Sequence, residues 1–163
     1  DTGLTFQVDE PAKVGRDRLA DAAAAAAHYP LPCMTVDLGT ATTYNVISAN
    51  REFLGGFIVP GVQTSLRAIS AGTAQLPPIA PEPPEYLIGA NTVAALNNGA
   101  MFGTAAQLDG LADRVEAELG QPLTVVVTGG LAPYITPCCK RKVIYDADLL
   151  FKGLALIWEK NHL

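Results

Sequence analysis

CMTVDLGTATT, residues 33–43, is the most informative segment of this sequence. Its first four residues are apolar or β-branched, and Pro32 and Gly39 bound the run, which predicts a buried strand ending at Asp37. Gly39 lets the backbone approach a ligand closely, and the threonines around it offer hydroxyls and N–H groups suited to phosphate oxygens and a metal ion. A strand that enters a hairpin through an ordinary threonine-rich turn is the alternative.

The composition is that of a globular domain, because 163 residues with 49% hydrophobic and 17% charged side chains are enough for one core. The net charge of −5, with no basic run longer than residues 140–142, argues against nucleic acid as a partner. Cys33 and the adjacent Cys138 and Cys139 match neither an even disulfide framework nor a zinc site, so we expect reduced thiols in a cytoplasmic protein. No run approaches 18 apolar residues, so we expect no membrane span.

Proline and glycine divide the chain into alternating elements. An alanine-rich helix is predicted first, followed by three strands in a meander, and the second half alternates helices and strands. The predicted elements are helix 14–29, strands 33–37, 43–48 and 53–59, a helix opened by residues 60–61 and reaching 69, loop 75–85, helix 91–119, strands 123–128 and 143–145, and a final helix capped by Asp146.

The packing of two helices, residues 91–119 and the final helix, can also be predicted. Helix 91–119 has one apolar stripe, while Gly99 and Gly103 leave its first half smooth. Because glycine inside a helix costs up to about 1 kcal/mol relative to alanine, the pair suggests close packing against a partner helix. The final helix is predicted to bury one side. The stripe of the long helix comprises Leu108, Leu111, Val115 and Leu119, and the buried side of the final helix comprises Leu149, Leu150, Leu154, Ile157 and Trp158.

The order of these elements resembles one half of the ribonuclease-H-like phosphotransferase fold shared by actin and the sugar kinases. We therefore expect an α/β domain with a mixed five-stranded sheet and flanking helices.

Residues 15–18, with the sequence GRDR, place a carboxylate beside two guanidinium groups at the start of the alanine-rich helix. A neighbouring arginine favours the ionised carboxylate, and a helix start binds anions. One interpretation is that Asp17 is a general base and that an arginine holds a substrate carboxylate through a two-pronged contact. A solvated charge pair on the helix surface is the alternative.

Three further motifs follow these residues in the sequence. GGFIVPG, residues 55–61, predicts a bulge or a close backbone approach, with a twisted strand end as the alternative. VTGGL, residues 127–131, resembles a strand-to-helix turn that receives a nucleotide, although a TGG sequence alone is a weak signal. In IGANT, residues 88–92, Asn91 or Thr92 is expected to cap the long helix.

In this order, GxDR, DLGTATT, GGxIxPG, IGxNT and TGG resemble the type III pantothenate kinase family over nearly the whole chain. The resemblance implies ATP-dependent phosphorylation of pantothenate to 4′-phosphopantothenate, the first step of coenzyme A biosynthesis. It also implies a cytoplasmic homodimer that uses Mg²⁺ and a monovalent cation, K⁺ or NH₄⁺.

The resemblance implies a role for each matching residue. Asp17 would remove the proton from the primary hydroxyl of pantothenate, and Asp37 would belong to the potassium site. Thr92 would reach pantothenate across a dimer interface formed by the helix from Asn91. The remaining contacts would be made to pantothenate by Gly15, Arg16 and Arg18, to the ATP phosphates by Thr40, and near the adenosine by Gly129 and Gly130.

The sequence departs from the family at two points. Family members begin with an Asp-x-Gly-Asn-Thr phosphate loop, and this sequence has none. We therefore expect residues 1–30 to be the end of an otherwise absent N-terminal domain, residues 31–163 to be the C-terminal ribonuclease-H-like domain, and the chain alone to be inactive on ATP. A substrate-contacting aromatic residue of the family is also replaced near Val8.

Two other functions stay open at this stage. One is another phosphotransferase of the same fold, acting on a sugar or on acetate. The other is a non-catalytic accessory factor for transcription, against which the acidic balance speaks because direct DNA contact favours basic surfaces.

Overall fold

The computed structural model describes residues 1–162 as six strands and five helices joined by turns and short 3₁₀ segments. The strands are β1 (Thr5–Phe6), β2 (Cys33–Leu38), β3 (Ala41–Ile47), β4 (Glu52–Pro60), β5 (Thr124–Thr128) and β6 (Ile144–Tyr145). The helices are α1 (Arg16–His28), α2 (Val62–Gly72), α3 (Thr92–Leu119), α4 (Ala132–Ile135) and α5 (Leu149–His162).

The strands form one mixed sheet in the order β1-β4-β3-β2-β5-β6. β2, β3 and β4 form the predicted antiparallel meander, and β5 and β6 run parallel to β2. This arrangement confirms the ribonuclease-H-like fold class. A register shift in β3 at Val46, beside Gly55 and its φ of +109°, confirms the bulge predicted for β4.

The sheet has six strands, so the predicted number of five was wrong. The additional strand, β1, pairs in parallel with the start of β4, with Thr5 opposite Glu52. A two-residue strand is too short to show the alternation that marks strands in a sequence, and it exists because Glu52 and Phe53 offer it a pairing edge.

The two faces of the sheet bury separate cores. α2, α3 and α4 cover one face over Met34, Val36 and other apolar residues, whereas α1 and α5 cover the opposite face over Cys33. Because side chains alternate along a strand, Thr35 and Asp37 lie on the same face as Cys33. Asp37 is therefore directed to the side of the sheet on which α1 lies.

α1 and α5 approach each other closely because their contact consists of small residues. A Cβ on Gly153 would lie 2.0 Å from the carbonyl oxygen of Ala20, and the alanines 22–26 are all buried. This contact fixes the position of α1, whose first turn carries Asp17. β1 and α1 thus pack on the same sheet as the rest of the chain, and the domain boundary at residue 30 stays a prediction.

α3 confirms most of what was expected of the long helix. The Asn91 side chain accepts a hydrogen bond from the Ala94 N–H at 2.9 Å and so caps the helix, and Leu108 and Val115 are buried. The expected close packing is not seen at the two glycines, since within residues 1–162 a Cβ on Gly99 or Gly103 would meet no atom within 4 Å, although the nearby Ala105 is buried. These glycines instead line an open groove beside α2.

The buried side of the final helix was predicted only in part, since Ile157 packs against the core as expected. Leu149 is buried, but Leu154 and Trp158 are 49% and 61% exposed. The physical reason is Gly153, because the residue that permits the closest approach to α1 sets the centre of the buried face. The start of α2 also differs from the prediction, since Pro60 ends β4 and pairs with Ala41.

A helix that crosses a bilayer needs about 20 predominantly apolar residues. Among residues 1–162, no helix combines the length and the apolar character needed to cross a membrane.

Candidate active site

Three glycine-containing turns meet at one edge of the sheet. Gly39 follows β2, Gly61 lies between β4 and α2, and Gly129 follows β5. A Cβ on Gly61 would lie 2.4 Å from the Thr40 carbonyl oxygen, and one on Gly129 would lie 2.6 Å from the Leu38 nitrogen. The turns therefore touch through their backbones, at the carboxyl ends of β2 and β5, where α/β sheets bind ligands.

Thr40 lies at the centre of this edge. Its carbonyl oxygen accepts hydrogen bonds from the Gly61 N–H at 3.1 Å and from the Thr64 hydroxyl at 2.8 Å. Thr40 and Gly130 are both exposed, and a Cβ on Gly130 would meet no atom within 4 Å. The edge thus presents small residues and backbone groups to solvent.

Asp17 and Asp37 are brought close enough to interact electrostatically. Burial raises the pKa of Asp37, and the charge of Asp17 raises it further. Asp17 is exposed in the first turn of α1, and Asp37 is half-buried near the end of β2. The structure therefore places one accessible carboxylate near one that is partly shielded from water.

Gly15 makes room for Asp17. A Cβ at residue 15 would lie 2.6 Å from Asp17 Oδ1, so the carboxylate folds back over the glycine. Arg16 is exposed, whereas Arg18 is half-buried and its Nε donates a 2.6 Å hydrogen bond to Asn45 Oδ1. Burial lowers the pKa of Arg18, and the charge of Asp17 opposes that effect.

Asp21 belongs to the same group of carboxylates, although no sequence motif indicated it. It is only 1% exposed, and its Oδ1 is buried without a hydrogen-bond partner. Burial, followed by the charges of Asp37 and Asp17, raises the pKa of Asp21 to about 7. The signal was its position four residues after Asp17, because residues i and i+4 share one helix face.

Thr43 adds an oxygen beside Asp37. The two residues are directly opposite each other in the β2–β3 register, and Thr128 pairs with Asp37 from β5. The Thr43 hydroxyl is buried without a hydrogen-bond partner. Over residues 1–162, no three or more His, Cys, Asp or Glu side chains are arranged to hold a metal ion. A cation at Asp37 would thus need hydroxyl, carbonyl or water ligands as well.

Thr92 is not brought to these residues. It is the exposed first residue of α3, which packs with α2 and α4 on the face of the sheet opposite α1. No hydrogen bond or ion pair within residues 1–162 joins it to residues 15–18.

The family model for type III pantothenate kinase matches residues 1–114, which is most of the chain. The chain belongs to the type III pantothenate kinase family. Its motifs had predicted this membership, which is confirmed.

Individual relatives agree with this assignment. The chain is 41% identical over 160 residues to the type III pantothenate kinase of Hyphomonas neptunium, covering 98% of this chain and 63% of the relative. The type III pantothenate kinase of Exiguobacterium sibiricum is 44% identical over 160 residues, with 98% and 63% covered. The chain thus spans less than two thirds of the length of these type III pantothenate kinases.

A solved structure supports the fold. The crystal structure of a Campylobacter jejuni protein assigned to the Baf family of transcriptional activators superposes with a TM-score of 0.68. It is 24% identical in sequence, and the match covers 99% of this chain and 71% of that protein. At this level of identity, the similarity concerns the fold alone.

Proposed function

We propose that the protein carrying this chain transfers the γ-phosphoryl group of ATP to the primary hydroxyl of pantothenate and so begins coenzyme A biosynthesis in the cytoplasm. The observation that carries the proposal is the exposed Asp17 beside the half-buried Asp37, at the edge where three glycine turns meet. Membership of the type III pantothenate kinase family supports the choice of substrate.

Phosphoryl transfer needs positioning and charge neutralisation more than covalent chemistry. In the proposed reaction, the hydroxyl oxygen attacks the γ-phosphorus, the bond to ADP breaks, and Asp17 takes the hydroxyl proton. Gly15 and Arg16 border the position of the substrate, and Arg18 binds its carboxylate. The accessibility of Asp17 supports this role, because a general base must come within hydrogen-bond reach of the proton that it removes.

The nucleotide is proposed to lie along the edge formed by Thr40, Gly129 and Gly130. Small residues there allow phosphates and adenosine to approach the backbone, and the exposed Thr40 adds a hydroxyl. Mg²⁺ would accompany the phosphates and reduce their negative charge.

The residues around Asp37 fit a monovalent cation, K⁺ or NH₄⁺. Asp17, Asp21 and Asp37 place negative charge together, since the charges of Asp17 and Asp37 raise the pKa of Asp21 and the charge of Asp17 raises that of Asp37. Two buried oxygens near Asp37, those of Thr43 and Asp21, lack partners. Hard cations prefer such oxygen donors, and a bound cation would supply compensating positive charge.

A homodimer through the helix from Asn91 is proposed for the surface that includes Thr92. The groove beside Gly99 and Gly103 has a volume of about 370 Å³, and the exposed Thr92 lies three residues before Ala95, where the groove begins along the helix. Loop residues before the helix are exposed and apolar, and Asn98 holds their backbone by donating to the Tyr86 carbonyl at 2.6 Å. These loop residues are Tyr86, Leu87 and Ile88.

The test is ADP release by the whole protein with pantothenate, a hexose or acetate as the acceptor, in K⁺ and in Na⁺ buffers. We expect turnover with pantothenate and stimulation by K⁺. A clear preference for the hexose or acetate would replace the proposal with another phosphotransferase of the same fold. Absence of turnover with every acceptor, together with salt-dependent DNA binding, would favour an accessory factor for transcription.

A further inference from the structure

Asn45 on β3 links Arg18 of the candidate site to Thr35 on the neighbouring strand β2. The side chain is fully buried, and both ends of its amide are hydrogen-bonded. Oδ1 accepts from Arg18 Nε at 2.6 Å, and Nδ2 donates to Thr35 Oγ1 at 2.9 Å. Because a guanidinium group has donors only, Arg18 determines which end of the amide is the oxygen.

Phe53 provides a second contact for the same guanidinium group. Its ring is fully buried, and the ring centroid lies 5.7 Å from Arg18 Cζ. A cation above an aromatic face is attracted by the ring electrons. Asn45 and Phe53 therefore contact Arg18 at two separate points, and both are fully buried residues of the sheet.

The geometry leaves the end of the arginine free for a ligand. Within residues 1–162, the Arg18 side chain makes one hydrogen bond, in which Nε donates to Asn45. The terminal nitrogens, Nη1 and Nη2, remain as donors, and this fork is suited to a two-pronged contact with a carboxylate. Asp17, which is adjacent to Arg18, is the proposed base.

We propose that Asn45 is a positioning residue that orients Arg18 toward the substrate carboxylate and thereby sets the preference for an acid over a neutral analogue. The inference rests on the proposed function. Asn45 would affect the substrate only through Arg18. Asn45 is itself held by its hydrogen bond to Thr35.

The test compares Asn45→Leu, which removes the acceptor and keeps the branched shape of the side chain, with Asn45→Asp, which keeps the acceptor. In the whole protein, calorimetry measures affinity for pantothenate and for the neutral alcohol in which a hydroxymethyl group replaces the carboxylate. Asn45→Leu is expected to weaken pantothenate binding by about tenfold or more and to leave the alcohol within about twofold. Asn45→Asp is expected to retain the preference for the acid, and Asn45→Ala provides the same comparison if leucine prevents folding.

A merely structural role would weaken both ligands equally, and that result, or unchanged pantothenate affinity in Asn45→Leu, overturns the inference. A second measurement is independent of the substrate. Hydrogen exchange of Arg18 Nε–H, followed by NMR, is expected to be slow in the wild type and in Asn45→Asp and fast in Asn45→Leu. If the wild type binds neither ligand, the proposed function fails, while unchanged exchange in Asn45→Leu would show that Asn45 does not hold Arg18.

Discussion

The carboxylate of Asp17 lies directly over Gly15, so that a Cβ at residue 15 would come within 2.6 Å of Oδ1. The proposed base therefore keeps its orientation only while residue 15 has no side chain. The backbone itself would accept alanine, because φ at Gly15 is −55°. The effect of a substitution should thus appear in the position of Asp17 rather than in the fold.

Gly15→Ala is expected to lower turnover by about tenfold to a hundredfold, because a displacement of about 1 Å at a reacting group has effects of that size. Steady-state kinetics of the whole protein measure it. Gly72→Ala is the matched control, since a Cβ there would meet no atom within 4 Å. Equal turnover in the two variants would contradict the proposed packing of Asp17.

Asp17→Asn is expected to lower turnover by about a hundredfold or more, because the amide cannot accept the hydroxyl proton. The substitution also removes a charge that raises the pKa values of Asp21 and Asp37. Both pKa values should therefore fall in this variant, which NMR titration can follow independently of activity. Near-normal turnover would remove Asp17 from the role of base.

Asp21→Asn tests the buried carboxylate through the pH dependence of stability. Asp21 has a pKa of about 7 in the folded protein and an ordinary value of 3.8. As the pH rises, Asp21 therefore loses its proton at a lower pH in the unfolded chain than in the folded protein. The free energy of unfolding consequently falls as the pH rises from about 4 to about 7. Asparagine keeps the shape without the charge, so the variant should equal the wild type near pH 4 and exceed it by roughly 2–4 kcal/mol at pH 8.

Urea unfolding at both pH values, in buffer without K⁺, measures this difference. Asp9→Asn is the control because Asp9 is exposed. If Asp21→Asn and the wild type lose stability in parallel between pH 4 and pH 8, the carboxylate does not titrate as the structure indicates.

Gly153→Ala is expected to destabilise the fold by about 1–3 kcal/mol, since the new methyl group would overlap the Ala20 carbonyl at the contact between α1 and α5. Thermal unfolding followed by circular dichroism is the measurement. Leu154→Ala, next to it on the exposed side of the helix, should change stability by less than about 0.5 kcal/mol. A harmless Gly153→Ala substitution would show that the helices are not closely packed.

Gly103→Leu is expected to weaken self-association by about tenfold or more, because the side chain would fill the groove proposed to receive a second copy. Sedimentation analysis over a range of concentrations measures it. Ala117→Leu is the control, because Ala117 is exposed near the other end of α3. Dimerisation that resists Gly103→Leu would place the interface elsewhere.

Much of the fold could be predicted because its signals are local. β2, which ends one residue after the predicted Asp37, follows from an apolar run bounded by Pro32 and Gly39, and the cap at Asn91 follows from its position before a helical stretch. β1 could not be predicted, since two residues carry no periodicity and depend on an edge supplied by β4. The exposure of Trp158 depends likewise on how closely α1 approaches Gly153.

The amino-acid sequence alone specifies the order of the elements, the motifs that place the chain in its family, and the positions of Asp17 and Asp37 near the ends of a helix and a strand. These properties depend on residue type and spacing. The proximity of Asp21 to the two carboxylates and the hydrogen bond from Arg18 to Asn45 depend instead on the tertiary fold. Arg18 and Asn45 are 27 residues apart in the sequence, and a buried contact between such residues forms only when distant segments pack against each other.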